Sequence, residues 1–345
     1  MNIIICATQV PFVRGGAENH VEGLRDALRR SGHLVDIVAL PFKWYPKVEI
    51  LKSALAWRLL DLSESNGVPV ELVICTKFPT WAVRHPRKIA WVIHQHRQAY
   101  DWLGTPLSDF TNSSEDNAVR RRIVEIDRRG LGECQALYAN SANVAGRLKR
   151  SIGLDATPLH VPINLNGLSP ESYDNYILSV SRLDRAKRVD LLLEALAIAG
   201  EPLRAVIAGD GPEAMALRKQ AARLGIDQRV EFTGRVTDAE LVKLYNHARA
   251  VYYSPVDEDF GLVTVEAFSA AKPVLTAADA GGVLELVENG TSGIVVEEAR
   301  PDLIADGLQT ILQDVDRARQ MGENGRARVA GVRWDRVAER LIAHA

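Results

Sequence analysis

An alternation, run through twice, of short apolar β-rich runs with amphipathic helical stretches constrains this fold more than any other feature. In the first half Ile3–Cys6, Val35–Ala39, Leu72–Cys75, Ile89–Ile93 and Ala136–Ala139 read as strands, with helices such as Ala17–Arg30 and Ala142–Arg150 between them. The pattern restarts after Pro162 and the Ser169-Pro170 turn, with strands at Tyr176–Val180, Ala205–Ala208, Val230–Phe232, Ala250–Tyr253, Val274–Thr276 and Ile294–Val296. Helical segments Val189–Ile198, Glu213–Arg223 and Asp238–Ala248 lie between those strands. This is βαβ order, so an α/β chain of two doubly wound parallel-sheet domains is predicted, with helices on both faces of each sheet. Ligands of such sheets bind outside the carboxyl ends of the strands, and two facing domains would enclose a cleft. The length of 345 residues suits two domains. We expect them at 1–168 and 169–324, with a C-terminal helical segment, about 325–345, anchored by Trp334 and packing back on the first.

Composition narrows the class. With 47% hydrophobic and 25% charged residues the chain reads as soluble and globular. No apolar run approaches the roughly 20 residues that span a bilayer, and the opening Met1-Asn2-Ile3-Ile4-Ile5-Cys6 reads as a buried strand without the basic region of a secretory signal. A cytoplasmic protein is expected. Three scattered cysteines make neither a disulfide framework nor a zinc site. Residues 1–168 hold 21 Lys and Arg against 16 Asp and Glu, net +5, which leaves net −7 for the rest. A mildly basic half can meet an anionic surface, but no basic stripe interleaved with aromatics supports nucleic-acid binding.

Chemistry concentrates at predicted strand ends. Glu258 and Glu266 stand eight residues apart in E-D-F-G-L-V-T-V-E, the first in a loop and the second about one turn into a helix that Gly261 opens. Each carboxylate can hold a pair of vicinal hydroxyls, and the helix start can accept an anion. The embedded D-F-G is not a kinase magnesium loop, because no H-R-D precedes it and no A-P-E follows. Arg14-Gly15-Gly16-Ala17-Glu18 follows the first strand and suits anion approach, although an ordinary strand-to-helix turn reads equally well. After the first strand of the second half, Arg182 and Lys187 can clamp a diphosphate. Gly281-Gly282-Val283-Leu284-Glu285 reads as one more helix opening at a strand end. Gly209-Asp210-Gly211-Pro212-Glu213-Ala214 fits the dinucleotide fingerprint in form, but its two carboxylates would repel a pyrophosphate, so a turn lining a nucleoside pocket is the better reading. His94 ends a strand, where it can bond a sugar hydroxyl or move a proton. His94-Gln95-His96 lacks a third ligand for a metal.

In order and spacing these motifs, together with Phe232-Thr233-Gly234-Arg235-Val236, resemble the retaining, nucleotide-sugar-dependent glycosyltransferases of the GT-B fold, family four. The resemblance covers essentially the whole chain. It implies that Glu266 holds the ribose and Glu258 the transferred sugar, while Arg182 and Lys187 bind the diphosphate, helped by backbone at Gly15, Gly16 and Phe260-Gly261-Leu262. It further implies a base contact through the backbone of Val236, a nucleoside-pocket turn at Gly209, and His94 near the donor sugar and attacking hydroxyl. Two departures touch the hinge: Pro162-Ile163-Asn164-Leu165-Asn166-Gly167 replaces the common P-N-G-V-D, and Ser181 replaces a glycine.

The activity implied by the resemblance is a transfer from a UDP- or GDP-sugar, without metal or other cofactor, in which the leaving phosphate helps deprotonate an acceptor attacking from the same face. A double displacement through a carboxylate is the alternative. A hexose-type sugar would pass to a hydroxyl of a glycan or lipid-linked acceptor, in bacterial surface polysaccharide or glycolipid synthesis. A nucleotide-sugar epimerase and a noncatalytic nucleotide-sugar binder are the competing classes. Pro41-Phe42-Lys43-Trp44-Tyr45-Pro46-Lys47 and Tyr100-Asp101-Trp102 come after strands of the first half, and their aromatics suit sugar stacking, a membrane interface or packing on their own domain. Contact with an anionic membrane surface is therefore expected alongside acceptor binding.

Overall fold

The computed structural model describes residues 1–345 apart from 13, 14, 201, 344 and 345, so Arg14 of the glycine turn lies outside the described residues. Two compact units divide the chain, one formed by Met1–Pro162 with Val332–Ala345 and the other by Ile163–Gly331.

In the first unit a six-stranded parallel sheet is built from β1 (Asn2–Gln9), β2 (Leu34–Pro41), β5 (Leu72–Cys75), β6 (Lys88–Val92), β7 (Ala136–Ala139) and β8 (Thr157–Pro158). A short antiparallel hairpin, β3 (Glu64–Ser65) with β4 (Val68–Pro69), stands apart from it. Helices α1 (Gly16–Arg30), α2 (Val48–Leu59), α3 (Ser114–Gly132) and α4 (Ala142–Ile152) connect the strands. The sheet order β2-β1-β5-β6-β7-β8 shows the chain building outward from β1 and then reversing, which puts a topological switch point between β1 and β5. Every residue of β5 and β6 is buried, as a strand covered by helices on both faces requires. Cys6 and Cys75 lie in this core as free thiols.

In the second unit β9 (Tyr176–Val180), β10 (Arg204–Ala208), β11 (Val230–Gly234), β12 (Ala250–Tyr252), β13 (Val274–Ala277) and β14 (Gly293–Val296) form the parallel sheet β11-β10-β9-β12-β13-β14. Here the switch point falls between β9 and β12. Helices α5 (Val189–Ala199), α6 (Ala214–Arg223), α7 (Asp238–His247), α8 (Leu262–Ser269), α9 (Pro301–Gln313) and α10 (Val315–Val329) complete the unit. Leu192, Leu193 and Leu196 of α5 and Ile304, Leu308 and Ile311 of α9 are buried in one cluster with Ile177, Ile207 and Leu275 of the sheet.

One difference from expectation lies at the C-terminus. The segment read as a single helical stretch over about 325–345 is interrupted at Ala330-Gly331, because glycine is costly inside a helix. The part before the break belongs to the second unit. Beyond it α11 (Trp334–Ile342) belongs to the first, packs on α1, and sets the Trp334 ring edge-on to Trp91 with centroids 6.1 Å apart.

Candidate functional site

At the second unit's switch point the loop leaving β9 and the loop leaving β12 carry the residues with chemistry. After β9, the Asp184 carboxylate accepts a hydrogen bond from Ala186 N–H at 3.1 Å and starts a single 3-10 turn, Arg185–Lys187. Arg188 then adopts a left-handed backbone, φ 53°, and its guanidinium grips Asp279 through two bonds of 2.7 and 2.6 Å. That anchor ties the loop to the one after β13. Lys187 Nζ is thereby directed inward, where it donates to Tyr253 Oη at 3.4 Å and forms a very short ion pair with Glu258. Burial works against the ammonium, but Tyr253 and Glu258 beside it raise its pKa, so Lys187 is charged. Arg182, at the start of the same loop, is exposed and makes no side-chain hydrogen bond or ion pair among the described residues.

Glu258 is placed by backbone. Its N–H donates to Ala280 O at 3.0 Å, and Gly282 N–H donates to Glu258 O at 2.8 Å, so the loop after β12 pairs like a strand with the loop after β13. Only glycine permits this approach: a Cβ on Gly282 would stand 2.3 Å from Asp259 O. The structure corrects the reading of Gly281–Glu285 here. It opens no α-helix but a four-residue 3-10 turn, Gly282–Glu285, too short to present an anion-binding terminus, and its glycines serve the pairing with Glu258. Gly261 caps α8 in a left-handed conformation, φ 88°, with Phe260 buried beneath it, so α8 starts at Leu262 beside the switch point.

Glu266 lies just over one turn into α8. Tyr245 of α7 donates its hydroxyl to the Glu266 carboxylate at 2.7 Å. Burial pushes the pKa of Glu266 up to about 7, with the Tyr245 hydrogen bond opposing the rise and the negative charge of Asp238 adding to it. A carboxylate poised between its two forms, already oriented by one donor, is suited to accept further hydroxyls. Val236 is half-buried just past β11, after the left-handed turn at Gly234.

Gly209 has a shaping role. Its N–H donates to Gly234 O at 2.8 Å, and a Cβ there would lie 1.9 Å from Ser181 O. A Cβ on Gly211 would likewise meet Leu183 O at 2.3 Å. The Gly209-Asp210-Gly211 turn therefore holds the Arg182 loop against β10 through close backbone contact.

The first unit has its own switch-point cavity, of about 100 Å3. Thr8 and Gln9 at the end of β1, Thr76 and Lys77 beyond β5, and Glu18 and Glu22 of α1 supply its polar wall, over a floor that includes Ala7, Ile37 and Ile93. Lys77 has its pKa lowered by burial, with the charge of Glu18 pulling the other way. Neither Lys77 nor Glu22 stands out in the sequence, because single charges spaced along separate elements carry no local signature. At the start of α1, Glu18 accepts a hydrogen bond from Gly15 N–H at 2.8 Å. The carboxylate thus lies where an anion approaching Gly15 and Gly16 would arrive.

His94 comes just after β6 and is half-buried, with Nδ1 donating to Gln95 O at 2.6 Å. Its neighbour Gln95 is held by Asp127, fully buried on α3, which also accepts from Trp81 Nε1 and Tyr100 Oη at 2.9 and 2.7 Å. Burial raises the Asp127 pKa to about 6. His96 is a core residue among Phe42, Phe78 and Phe110, and burial lowers its pKa to about 4. Among the described residues no three His, Cys, Asp or Glu side chains cluster as a metal site would need. Trp44 packs partly against the core, and Arg97 stacks on Trp102 at 4.2 Å from the ring centroid.

Comparison with known proteins bears directly on this geometry. Residues 166–328, nearly the whole second unit, match the family Glycosyl transferases group 1. The chain is 36% identical to a D-inositol 3-phosphate glycosyltransferase of Nocardia farcinica over 99% of this chain and 83% of that one. It is 37% identical to a Mycobacterium tuberculosis GDP-mannose-dependent alpha-(1-6)-phosphatidylinositol monomannoside mannosyltransferase over 48% of this chain and 46% of that one. The crystal structure of Anabaena HepE in complex with UDP and glucose superposes with a TM-score of 0.72 at 21% identity, covering 99% of this chain and 98% of HepE. The two doubly wound units have the GT-B architecture, and the chain belongs to the group 1 glycosyltransferases.

Proposed function

We propose that the protein moves a hexose-type sugar from a UDP- or GDP-sugar to a hydroxyl of a glycan or lipid-linked acceptor, with retention of anomeric configuration and without a metal. The observation that carries this reading is the pairing of Lys187 with Glu258 at the switch point, with Arg182 at the start of the Lys187 loop and Glu266 on the adjoining helix. Departure of a nucleoside diphosphate leaves negative charge on phosphate and positive character at the anomeric carbon. Arg182 and Lys187 stabilise the first, as preorganised charges in place of a cation. Glu258 holds the sugar hydroxyls and favours the second, while Glu266 binds the ribose diol and the backbone of Val236 meets the base. His94 lies near the donor sugar and the attacking hydroxyl, where an imidazole can hydrogen-bond a hydroxyl or move a proton.

The acceptor falls to the first unit. Two relatives are named for D-inositol 3-phosphate and for a phosphatidylinositol monomannoside. The switch-point cavity, with Thr8, Gln9, Glu18 and Glu22 over an apolar floor, offers hydrogen-bond acceptors to the hydroxyls of a sugar or polyol. A lipid-linked acceptor would place the reaction at the inner face of a membrane, in surface glycan or glycolipid synthesis.

The test is incubation with UDP- and GDP-sugars, with and without inositol phosphates and glycolipid extract, in EDTA. Transfer that needs acceptor and survives EDTA is expected. Turnover of donor alone would instead make the protein an epimerase. Arg182→Ala and Lys187→Ala should each cost roughly 2–4 kcal/mol of transition-state stabilisation.

A further inference from the structure

We infer that the outward face of α2 docks the first unit onto an anionic lipid surface. The helix is apolar on two opposite sides. Ile50, Ala54 and Trp57 are buried against the core, as the inner stripe of a surface helix should be. On the other side Val48, Leu55 and Leu59 are 47, 57 and 75% exposed, at positions that share a face with Lys52 and Ala56. Tyr45, 62% exposed, extends the apolar surface at the N-terminal end, where Lys43 lies 5.6 Å over its ring. A surface helix in water ordinarily turns a polar face outward, and scattered exposed leucines need no partner, but an aligned stripe on a helix of about 18 Å does.

Charge identifies the occupant. Residues 43–60 contain Lys43, Lys47, Lys52 and Arg58 against Glu49 alone. Lys47 is turned inward to Asp116 and Arg58 to Glu133, which leaves Lys43 and Lys52 beside the stripe, Lys52 within 2.6 Å of Glu49. The first unit as a whole carries 24 Lys and Arg against 18 Asp and Glu, net +6, and the second unit carries net −8. Leucines projecting past a lysine from a basic unit match the boundary between acyl chains and anionic headgroups. Among the described residues no helix is long and apolar enough to cross a membrane, so α2 would lie in the interface plane. The inference deepens the proposed function by naming the surface that brings the protein to a lipid-linked acceptor, and it rests on that reading only for the biological setting.

Co-sedimentation of the full chain with vesicles of equal phosphatidylglycerol and phosphatidylcholine tests it, against vesicles of phosphatidylcholine alone. Binding is expected to the anionic vesicles only, and to weaken as salt rises. Leu55→Gln with Leu59→Gln should abolish it, and Lys43→Gln with Lys52→Gln should weaken it by roughly fivefold per lysine. Thermal melts and nucleotide binding of both variants should match the wild type, since all four side chains point away from the core. No binding to anionic vesicles, or binding unchanged in the leucine variant, overturns the inference while leaving transfer to a soluble acceptor intact. Dimerisation in sedimentation velocity that the leucine variant loses would assign the stripe to a second copy and also overturn it.

Discussion

Lys187 and Glu258, 71 residues apart in the chain, form a direct ion pair at the second unit's switch point, with side chains only 19 and 18% exposed. The cation proposed for the departing phosphate and the carboxylate proposed for the sugar thus neutralise each other in the folded protein. Two partly desolvated charges make each partner's position depend on the other, and a diphosphate entering the site must compete with Glu258 for Lys187.

Removing Glu258 should therefore separate binding from chemistry. Glu258→Ala is expected to abolish transfer while keeping nucleoside diphosphate affinity within roughly threefold, under 1 kcal/mol, because the freed ammonium remains available to phosphate. Calorimetric titration checks this. A joint loss of nucleotide binding would move Glu258 from the sugar to the nucleotide.

Glu266 predicts a pH dependence whose sign is fixed. Its folded pKa is raised by burial from 4.5 to about 7, so between those values the folded protein holds a proton that the unfolded chain has lost. Without nucleotide, this residue's contribution to stability falls as pH rises through that window. Ribose hydroxyls donate to the ionised form, so nucleotide binding should release a proton below pH 7, and affinity should rise with pH and level off above it. Glu266→Gln should flatten the profile. A wild-type profile that is already flat would remove Glu266 from the ribose site.

The close backbone contacts predict where small changes are not tolerated. Gly209→Ala, at φ 135° with its Cβ 1.9 Å from Ser181 O, and Gly282→Ala, 2.3 Å from Asp259 O, should each destabilise by more than about 2 kcal/mol. Gly290→Ala, at φ 77° but facing open space, should cost only the left-handed penalty of roughly 1–2 kcal/mol. Thermal melts that rank Gly290→Ala as the most damaging would contradict the contact account.

Much of this architecture is legible in the sequence because helix-covered strands must be apolar throughout. Val73 and Ile74 of β5 and Leu178 of β9 announce themselves in that way, and each expected strand has a counterpart. Pairing between loops is not legible. Nothing local to Gly281-Gly282 says that its backbone will meet Glu258, so the glycines read as a helix opening when they are an adjustment for backbone contact. Tyr245 escapes for a related reason: an aromatic in an amphipathic helix reads as core, and only the fold places its hydroxyl on Glu266. The switch-point cavity of the first unit stays hidden because Thr8, Glu22 and Lys77 come from three separate elements. Trp44 and Trp102 stand out as aromatics, whereas the exposed stripe of α2 appears only once its inner face is known.

The central claim, that the second unit holds a nucleotide sugar through Lys187 and Glu266, is tested most directly by a thermal-shift panel of UDP, GDP and ADP and their sugars in EDTA. Mass action stabilises by about 2.7 kcal/mol at a hundredfold excess of ligand over Kd, so a true donor should raise the melting temperature by several degrees. The account predicts that one nucleoside diphosphate and its sugar stand out, and that the shift is lost in both Glu266→Ala and Lys187→Ala. No shift with any nucleotide in folded wild-type protein, or a shift that both variants retain, would contradict it.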